Sequence, residues 1–255
     1  MKKMLVALLA LIGGLVGVFV MTRDMSFAVH GISELSFAGA AIALLIGMNV
    51  VAGSVVGSLV AALIVGLLGA RAKERNSIVA VLMPAGLGIG ILALSLYEGR
   101  AANKFGLLTG QIVAVDDPQL VWLIAICTLV LLTLAVVWRP LSFASLDAEV
   151  AAARGVPTRA LSIIFMLVLG LSVAASIQVV GALLVLSLLV TPAAAALRVS
   201  SSQVLVPILS VAFALIAVLG GILLALGGGL PISPYVTTIS FLIYLICRLI
   251  ERVRR

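Results

Sequence analysis

Long apolar runs separated by short polar gaps make up almost the whole chain. A helix that crosses a bilayer needs about 20 apolar residues. Nine runs approach or reach that length: 3–21, 26–47, 50–70, 78–97, 120–138, 158–176, 178–197, 204–227 and 235–250. Only a short polar interruption around Gln178 separates the sixth run from the seventh, so the pattern gives eight or nine spans. It predicts an all-α, polytopic transmembrane helical bundle, with residues 1–255 forming one transmembrane domain.

The composition agrees with this pattern. Of the 255 residues, 64% are hydrophobic and 10% are charged, whereas about a quarter of the residues in soluble domains are charged. The net charge of +7 lies in the gaps between the apolar runs. No aromatic and basic pattern of the kind that binds nucleic acid accompanies that charge, so nucleic acid is not an expected partner.

Basic residues are distributed unequally between the two sides of the predicted bundle. One set of gaps, with the C-terminus, holds twelve of them: Arg23, Arg71, Lys73, Arg75, Arg139, Arg154, Arg159, Arg198, Arg248, Arg252, Arg254 and Arg255. The opposite side holds four, which are Lys2, Lys3, Arg100 and Lys104. Cytoplasmic loops carry an excess of Lys and Arg, so this bias predicts a cytoplasmic C-terminus.

One apolar run contains an unusual polar pair. His30 is the only histidine of the chain, and Glu34 is the only acidic residue within an apolar run. Positions i and i+4 lie on one face of a helix, and ionisable groups are costly within a membrane. Nitrogen and oxygen ligands side by side suit a divalent transition metal. A structural hydrogen-bonded pair and a proton relay are the alternatives that the residues leave open.

Several single polar residues also lie in or beside the apolar runs. Asn49, Ser187 and Thr191 are candidates for lining a transport pathway. Each of them also has a simpler interpretation, because isolated polar side chains in membrane helices often form hydrogen bonds between or within helices.

Residues 140–157 are too polar to span a membrane and lie on the side predicted to be cytoplasmic. Ser145 is placed to cap a short helix that has Asp147 and Glu149 in its first turn. Leu146, Val150 and Ala153 would share one face, and Gly155 would end the helix. Such a helix could dock a partner protein or simply connect two spans.

Several segments follow one another in the order of a known family. They are 17–26 (GVFVMTRDMS), the helix with His30 and Glu34, 107–110 (LLTG), 146–155 (LDAEVAAARG) and 180–196 (VGALLVLSLLVTPAAAA). Together they resemble the permease subunit of bacterial metal-ion ABC transporters, the zinc, manganese and iron importers. The resemblance covers nearly the whole chain and implies the fold of a type II ABC importer permease.

The resemblance also implies partners. ABC ATPase subunits would receive the coupling segment, through Asp147, Ala148, Glu149, Ala152 and Gly155. An extracytoplasmic metal-binding protein would deliver the metal. A second permease chain, identical or related, would complete a dimer in the bacterial inner membrane. A divalent metal would be the transported substrate, and no permanently bound cofactor is expected.

The resemblance places the metal ligands at His30 and Glu34, where family members usually carry Asp and then His, four residues apart. In this chain the order is exchanged and the carboxylate is longer. Two such helices meeting at a dimer axis would supply two imidazoles and two carboxylates, enough for a four-coordinate site.

Two other functions remain compatible with the sequence. An ion- or proton-coupled secondary carrier could use His30 and Glu34 as its ion site, and an ABC permease could carry a metal chelate. The sequence has no Gly-x-x-x-x-Gly-Lys-[Ser/Thr] phosphate loop, so ATP hydrolysis would belong to a separate chain. The protein itself is therefore predicted not to be an enzyme.

Overall fold

The computed structural model describes residues 2–69, 72–99, 106–107, 117–225 and 232–254, and these residues contain helices but no strand. The elements are α1 (Lys2–Thr22), α2 (Ser26–Leu45), α3 (Val50–Leu68), α4 (Ala72–Leu96), α5 (Asp117–Leu146), α6 (Ala148–Ala153), α7 (Thr158–Val180), a 3-10 turn (Ala182–Leu184), α8 (Val185–Leu189), α9 (Thr191–Val199), α10 (Leu205–Ala225) and α11 (Ile232–Arg254).

Eight of the helices in the described part of the chain are long and apolar enough to cross a membrane, namely α1 to α5, α7, α10 and α11. The predicted all-α, polytopic transmembrane bundle is therefore confirmed. The protein is a multi-pass membrane protein. Among its long helices, α1, α2 and α7 are the most buried and form the centre of the bundle.

The predicted span at 178–197 is wrong as a continuous helix. Helix α7 continues to Val180 and ends at Gly181, which has φ +86° and ψ 158°. Residues that have a Cβ rarely adopt this backbone conformation. Eleven residues after Gly181, Pro192 has no amide hydrogen to continue the hydrogen bonds of α8 into α9. Because the stretch is as apolar as its neighbours, hydropathy alone does not show the breaks.

Helices α1, α5, α9 and α10 meet at one end of the bundle, here called the α6 end. Thr22 of α1, Ser142 of α5, Leu197 of α9 and Val206 of α10 line one cavity there. Helix α11 also ends on this side, since Arg198 Nη1 of α9 lies 3.4 Å from Glu251 Oε2 of α11. The C-terminal part of α11 is therefore at the α6 end.

The start of α1 lies at the opposite end. Val6 of α1, Val180 of α7 and Ile232 of α11 line a second, small cavity there. The chain between α7 and α10 therefore returns from this opposite end to the α6 end through the broken elements α8 and α9. It crosses the bundle without a long helix, which is tolerated at membrane depth where the backbone is buried in protein.

Glycines of α1 make room for this broken crossing. A Cβ on Gly13 would lie 2.8 Å from the carbonyl oxygen of Leu188, and one on Gly17 would collide with the carbonyl oxygen of Leu189. The small residues let the backbones of α1 and α8 approach closely. This packing buries Leu188 and Leu189, which are both less than 2% exposed.

Candidate functional site

His30 and Glu34 lie on one face of α2, in the first half of that helix. Their closest polar atoms, Nδ1 of His30 and Oε1 of Glu34, are 3.9 Å apart, which is too far for a hydrogen bond. The side chain of His30 is 32% exposed, whereas that of Glu34 is 5% exposed. The pair therefore combines one accessible imidazole with one enclosed carboxylate.

The carboxylate of Glu34 lacks a complete set of partners. Its Oε2 atom is buried and forms no hydrogen bond with the described residues. A buried charged oxygen without a partner is costly, and in native proteins such groups are normally paired or bound to a cation. The geometry thus leaves one carboxylate oxygen and one imidazole available to an additional ligand.

Within the described residues, this pair has no third metal-binding side chain beside it. No group of three or more His, Cys, Asp or Glu side chains that could hold a metal occurs among the described residues. Cys127 and Cys247 are buried and free, and they lie on α5 and α11. A closed four-coordinate site at this pair would therefore need further donors beyond these described groups.

Close helix packing fixes the backbone that carries Glu34. Gly86 of α4 lies against this backbone, so that a Cβ there would be 2.8 Å from the carbonyl carbon of Glu34. On the other side, a Cβ on Gly57 of α3 would collide with the carbonyl oxygen of Leu35. Glycines on two neighbouring helices therefore hold α2 at the candidate ligands.

The three candidate pathway residues have local structural partners. The side chain of Asn49 caps α3 by accepting hydrogen bonds from the amides of Val51 and Ala52, at 2.9 and 3.1 Å, and this accounts for its presence without a pathway role. Ser187 donates to the carbonyl oxygen of Leu184 at 2.6 Å. Thr191 lies 3.4 Å from the carbonyl oxygen of Leu186.

The 140–157 segment contains the expected short helix, with a different cap. Asp147, not Ser145, is the N-cap of α6, and its Oδ1 accepts from the amides of Glu149 and Val150 at 3.0 and 2.9 Å. Ser145 still belongs to α5 and donates to the carbonyl oxygen of Leu141. The proline at 140 does not end α5, which runs through it to Leu146.

The C-terminal end of α6 has the glycine that the sequence predicted. Gly155 has φ +80°, and its amide donates to the carbonyl oxygen of Ala152 while that of Val156 donates to Ala151, as in a Schellman motif. Ala151 is the buried residue of α6, whereas Val150 is 45% exposed. The short helix is thus anchored on one side and open on the other.

Basic residues that the charge pattern of the sequence related only to membrane topology form a cluster at the α6 end. Arg23 follows α1 and Arg75 lies in the first turn of α4, yet Nη2 of Arg75 donates to the carbonyl oxygens of Arg23 and Asp24, at 3.2 and 3.1 Å. Burial, and then the positive charge of Arg75, lower the pKa of the Arg23 guanidinium. Arg23 and Arg75 are 52 residues apart in sequence, and no local sequence pattern indicates that they are in contact.

Comparison with known proteins identifies the family. The profile of the ABC 3 transport family matches residues 1–251. The chain belongs to this family. The match spans α1 to nearly the end of α11 and confirms the resemblance that the sequence motifs indicated.

The relatives include proteins named for the transport of two metals. The manganese transport system membrane protein MntC of Halalkalibacterium halodurans is 29% identical over 216 residues, which are 84% of this chain and 74% of that protein. The high-affinity zinc uptake system membrane protein ZnuB of Haemophilus influenzae is 25% identical over 218 residues, covering 85% of this chain and 84% of that protein.

Two solved structures have the same fold. A chain of PsaBC from Streptococcus pneumoniae, solved in complex with Fab, superposes with a TM-score of 0.86 at 23% identity, covering 100% of this chain and 94% of that chain. A structure described as a metal-chelate type ABC transporter in an inward-facing conformation gives a TM-score of 0.71 at 17% identity, covering 95% of this chain and 83% of that chain.

Proposed function

We propose that the protein is the permease subunit of a bacterial ABC importer for a divalent metal ion. The match to the ABC 3 transport family over residues 1–251 carries this proposal. Relatives named for manganese and for zinc support a metal as the cargo. The metal would pass through the protein as its substrate, with no permanently bound cofactor, and ATP hydrolysis would take place on separate subunits.

In this proposal His30 and Glu34 contact the metal during transport. The buried, unpartnered Oε2 of Glu34 and the partly exposed imidazole of His30 support that role. A second permease chain would bring the same two residues to the dimer axis and complete a site of two nitrogens and two carboxylates. Carboxylate oxygens also bind Mn²⁺ and Fe²⁺, so nitrogen and oxygen ligands together are compatible with zinc, manganese and iron.

The α6 end would be the cytoplasmic end and would carry the ATPase. Arg23, Arg75, Arg154, Arg159 and Arg198 all lie on elements that meet there, in agreement with the excess of basic residues in cytoplasmic loops. Helix α6 would insert into a cleft of the ATPase, through the segment that includes Asp147, Ala148, Glu149, Ala152 and Gly155. The C-terminus would then be cytoplasmic, and an extracytoplasmic binding protein would deliver the metal to the opposite end.

Membership of an ABC transport family disfavours the ion-coupled secondary carrier, which needs no ATPase. The metal chelate remains a second candidate cargo, because one structure with this fold is described as a metal-chelate transporter. The small pair of ligands on α2 favours a free ion over a bulky chelate.

The test uses the complete complex in proteoliposomes, with its ATPase subunits inside, its binding protein outside and ATP in the lumen that contains the ATPase. Uptake of ⁵⁴Mn²⁺, ⁶⁵Zn²⁺ and ⁵⁵Fe²⁺ is compared between the natural protein and the double variant His30→Ala/Glu34→Ala. We expect ATP-dependent uptake of at least one metal by the natural complex and its loss in the variant, with basal ATP hydrolysis retained. Equal uptake by both would overturn the role of the pair, and uptake without ATP would overturn the importer.

A further inference from the structure

A cavity of about 600 Å³ opens at the α6 end, between the ends of α1, α3 and α5 and the starts of α4 and α7. Among the described residues, the charged side chains that line it are Arg23, Asp24, Arg75 and Arg159. Three arginines against one aspartate give this cavity an excess of positive charge. The proposed metal pair on α2 does not line it.

Two of these guanidinium groups have unused hydrogen-bond donors. Arg75 is 9% exposed, and its Nε atom has no partner among the described residues. Arg23 donates from Nη2 to the hydroxyl of Ser162 at 2.6 Å. Its buried Nη1 has no hydrogen-bond partner among the residues that the structure describes. Buried donors on a charged group are costly when they are left unpaired.

Asp24 offsets only part of the positive charge, one carboxylate against three guanidinium groups. Its side chain is exposed, and its negative charge interacts favourably with the guanidinium of Arg75. The hydrogen bond that Nη2 of Arg75 donates to this residue, at 3.1 Å, is accepted by the backbone carbonyl oxygen. The other polar side chains that the described part of the chain contributes to the lining are the hydroxyl groups of Ser145, Thr158 and Ser162. Guanidinium and hydroxyl donors together are the set that binds phosphate oxygens.

The other wall of the cavity is apolar and reaches the exposed surface of the bundle at the end of α3. Val65, Leu67 and Met166 line it, and Leu67 is 54% exposed at the end of α3, beside Leu68, which is 62% exposed. A ligand with a phosphate at one end and hydrocarbon at the other would match both walls. Basic pockets between membrane helices on the cytoplasmic side are a general form of lipid-headgroup site.

We propose that Arg23 and Arg75 bind the phosphate group of an anionic phospholipid in this cavity, with the acyl chains lying along the exposed leucines of α3. The lipid would join the α1–α2 connection to the starts of α4 and α7, next to α6. This inference depends on neither the metal nor the ligand role of His30 and Glu34.

The test is a titration of the delipidated full-length protein, followed by native mass spectrometry, with phosphatidylglycerol, phosphatidylethanolamine or inorganic phosphate as the probe. We expect phosphatidylglycerol to bind at least about tenfold more tightly than the zwitterionic lipid. Equal binding of the two lipids would overturn the proposal. Occupancy by inorganic phosphate without a preference for phosphatidylglycerol would reject the lipid and leave free phosphate as the ligand.

Two variants locate the site. Arg23→Gln removes one guanidinium, and Ser162→Asp retains both arginines but gives Arg23 an internal carboxylate partner. Both should lose the preference for phosphatidylglycerol. Ser142→Asp is the matched control, because Ser142 lies at the same end but lines the other cavity, and it should retain the preference.

Ser162→Asp also keeps the test valid if Arg23→Gln does not fold. A Ser162→Asp protein that is folded and still binds phosphatidylglycerol like the natural chain would overturn the proposal. Loss of ATPase co-purification in that variant, with unchanged lipid binding, would instead assign the cavity to an acidic segment of the ATPase.

Discussion

Gly86 of α4 lies against the backbone of Glu34, where a Cβ would come within 2.8 Å of the glutamate's carbonyl carbon. The absence of a side chain at position 86 is therefore what allows α4 to approach the helix that carries the candidate metal ligands. Two residues further along α4, Gly88 has nothing within 4 Å of the same hypothetical atom. The two glycines form a matched pair for testing this contact.

We expect Gly86→Ala to lower the stability of the protein by about 1–3 kcal/mol, because an added carbon in a well-packed contact forces the backbones apart. Gly88→Ala should be neutral or stabilising by up to about 1 kcal/mol, because alanine is the better helix former. Thermal unfolding of the two variants in the same detergent measures the difference. Equal melting temperatures would contradict the close contact.

The proposed ligand role of Glu34 predicts a loss of transport when its charge is removed without a change of shape. Glu34→Gln should weaken metal uptake by more than about tenfold, since even outer-shell partners of a bound metal contribute 10–100-fold to affinity. Basal ATP hydrolysis of the complex should be unchanged. The measurement is radiometal uptake at several metal concentrations.

Ser33→Ala is the control for that variant. Ser33 lies on the same helix, and its hydroxyl donates to the carbonyl oxygen of His30 at 2.8 Å, so its loss removes a polar group without removing a proposed ligand. Uptake should be retained by Ser33→Ala. If Glu34→Gln and Ser33→Ala behaved alike, the effect would belong to helix structure and the ligand assignment would fail.

Two substitutions of the α6 N-cap, Asp147, distinguish the contribution of the short helix from that of the carboxylate charge. Asp147→Ala should weaken α6 by about 1 kcal/mol, because two amides lose their side-chain acceptor, and should reduce co-purification with the ATPase. Asp147→Asn retains an oxygen that can cap and should restore association to near the natural level. Failure of Asn to rescue would show that the carboxylate charge, rather than the helix, is what the partner requires.

The backbone conformation at position 181 predicts that only glycine is tolerated there. Gly181→Ala should cost about 1–3 kcal/mol, because φ +86° with ψ 158° is strained for residues that have a Cβ. Gly181→Asn should be no better, since asparagine tolerates the left-handed helical region but this ψ lies outside it. Melting temperatures check both variants, and a fully stable Gly181→Ala would contradict the break between α7 and α8.

Local signals in the sequence were sufficient for much of the structure. Apolar runs place the eight long helices, because the cost of leaving backbone groups unpaired in lipid makes each such run a helix. The short helix near 147–155 and its terminal glycine at 155 also follow from local hydrogen-bonding rules. The N-cap of α6 is Asp147, where the sequence predicted Ser145, because the helical hydrogen bonds of α5 continue beyond Pro140 and include Ser145.

Near neighbours along the chain specify the membrane helices, the i, i+4 placement of His30 and Glu34 and the short motifs that resemble the family. Tertiary structure alone decided that residues 181–199 cross as broken helices, that Gly86 lies on Glu34, and that Arg75 reaches Arg23, 52 residues away in sequence. Helix propensity and hydropathy are set locally. Contacts between distant segments depend on how whole helices pack, and a single sequence does not carry that pairing in any local pattern.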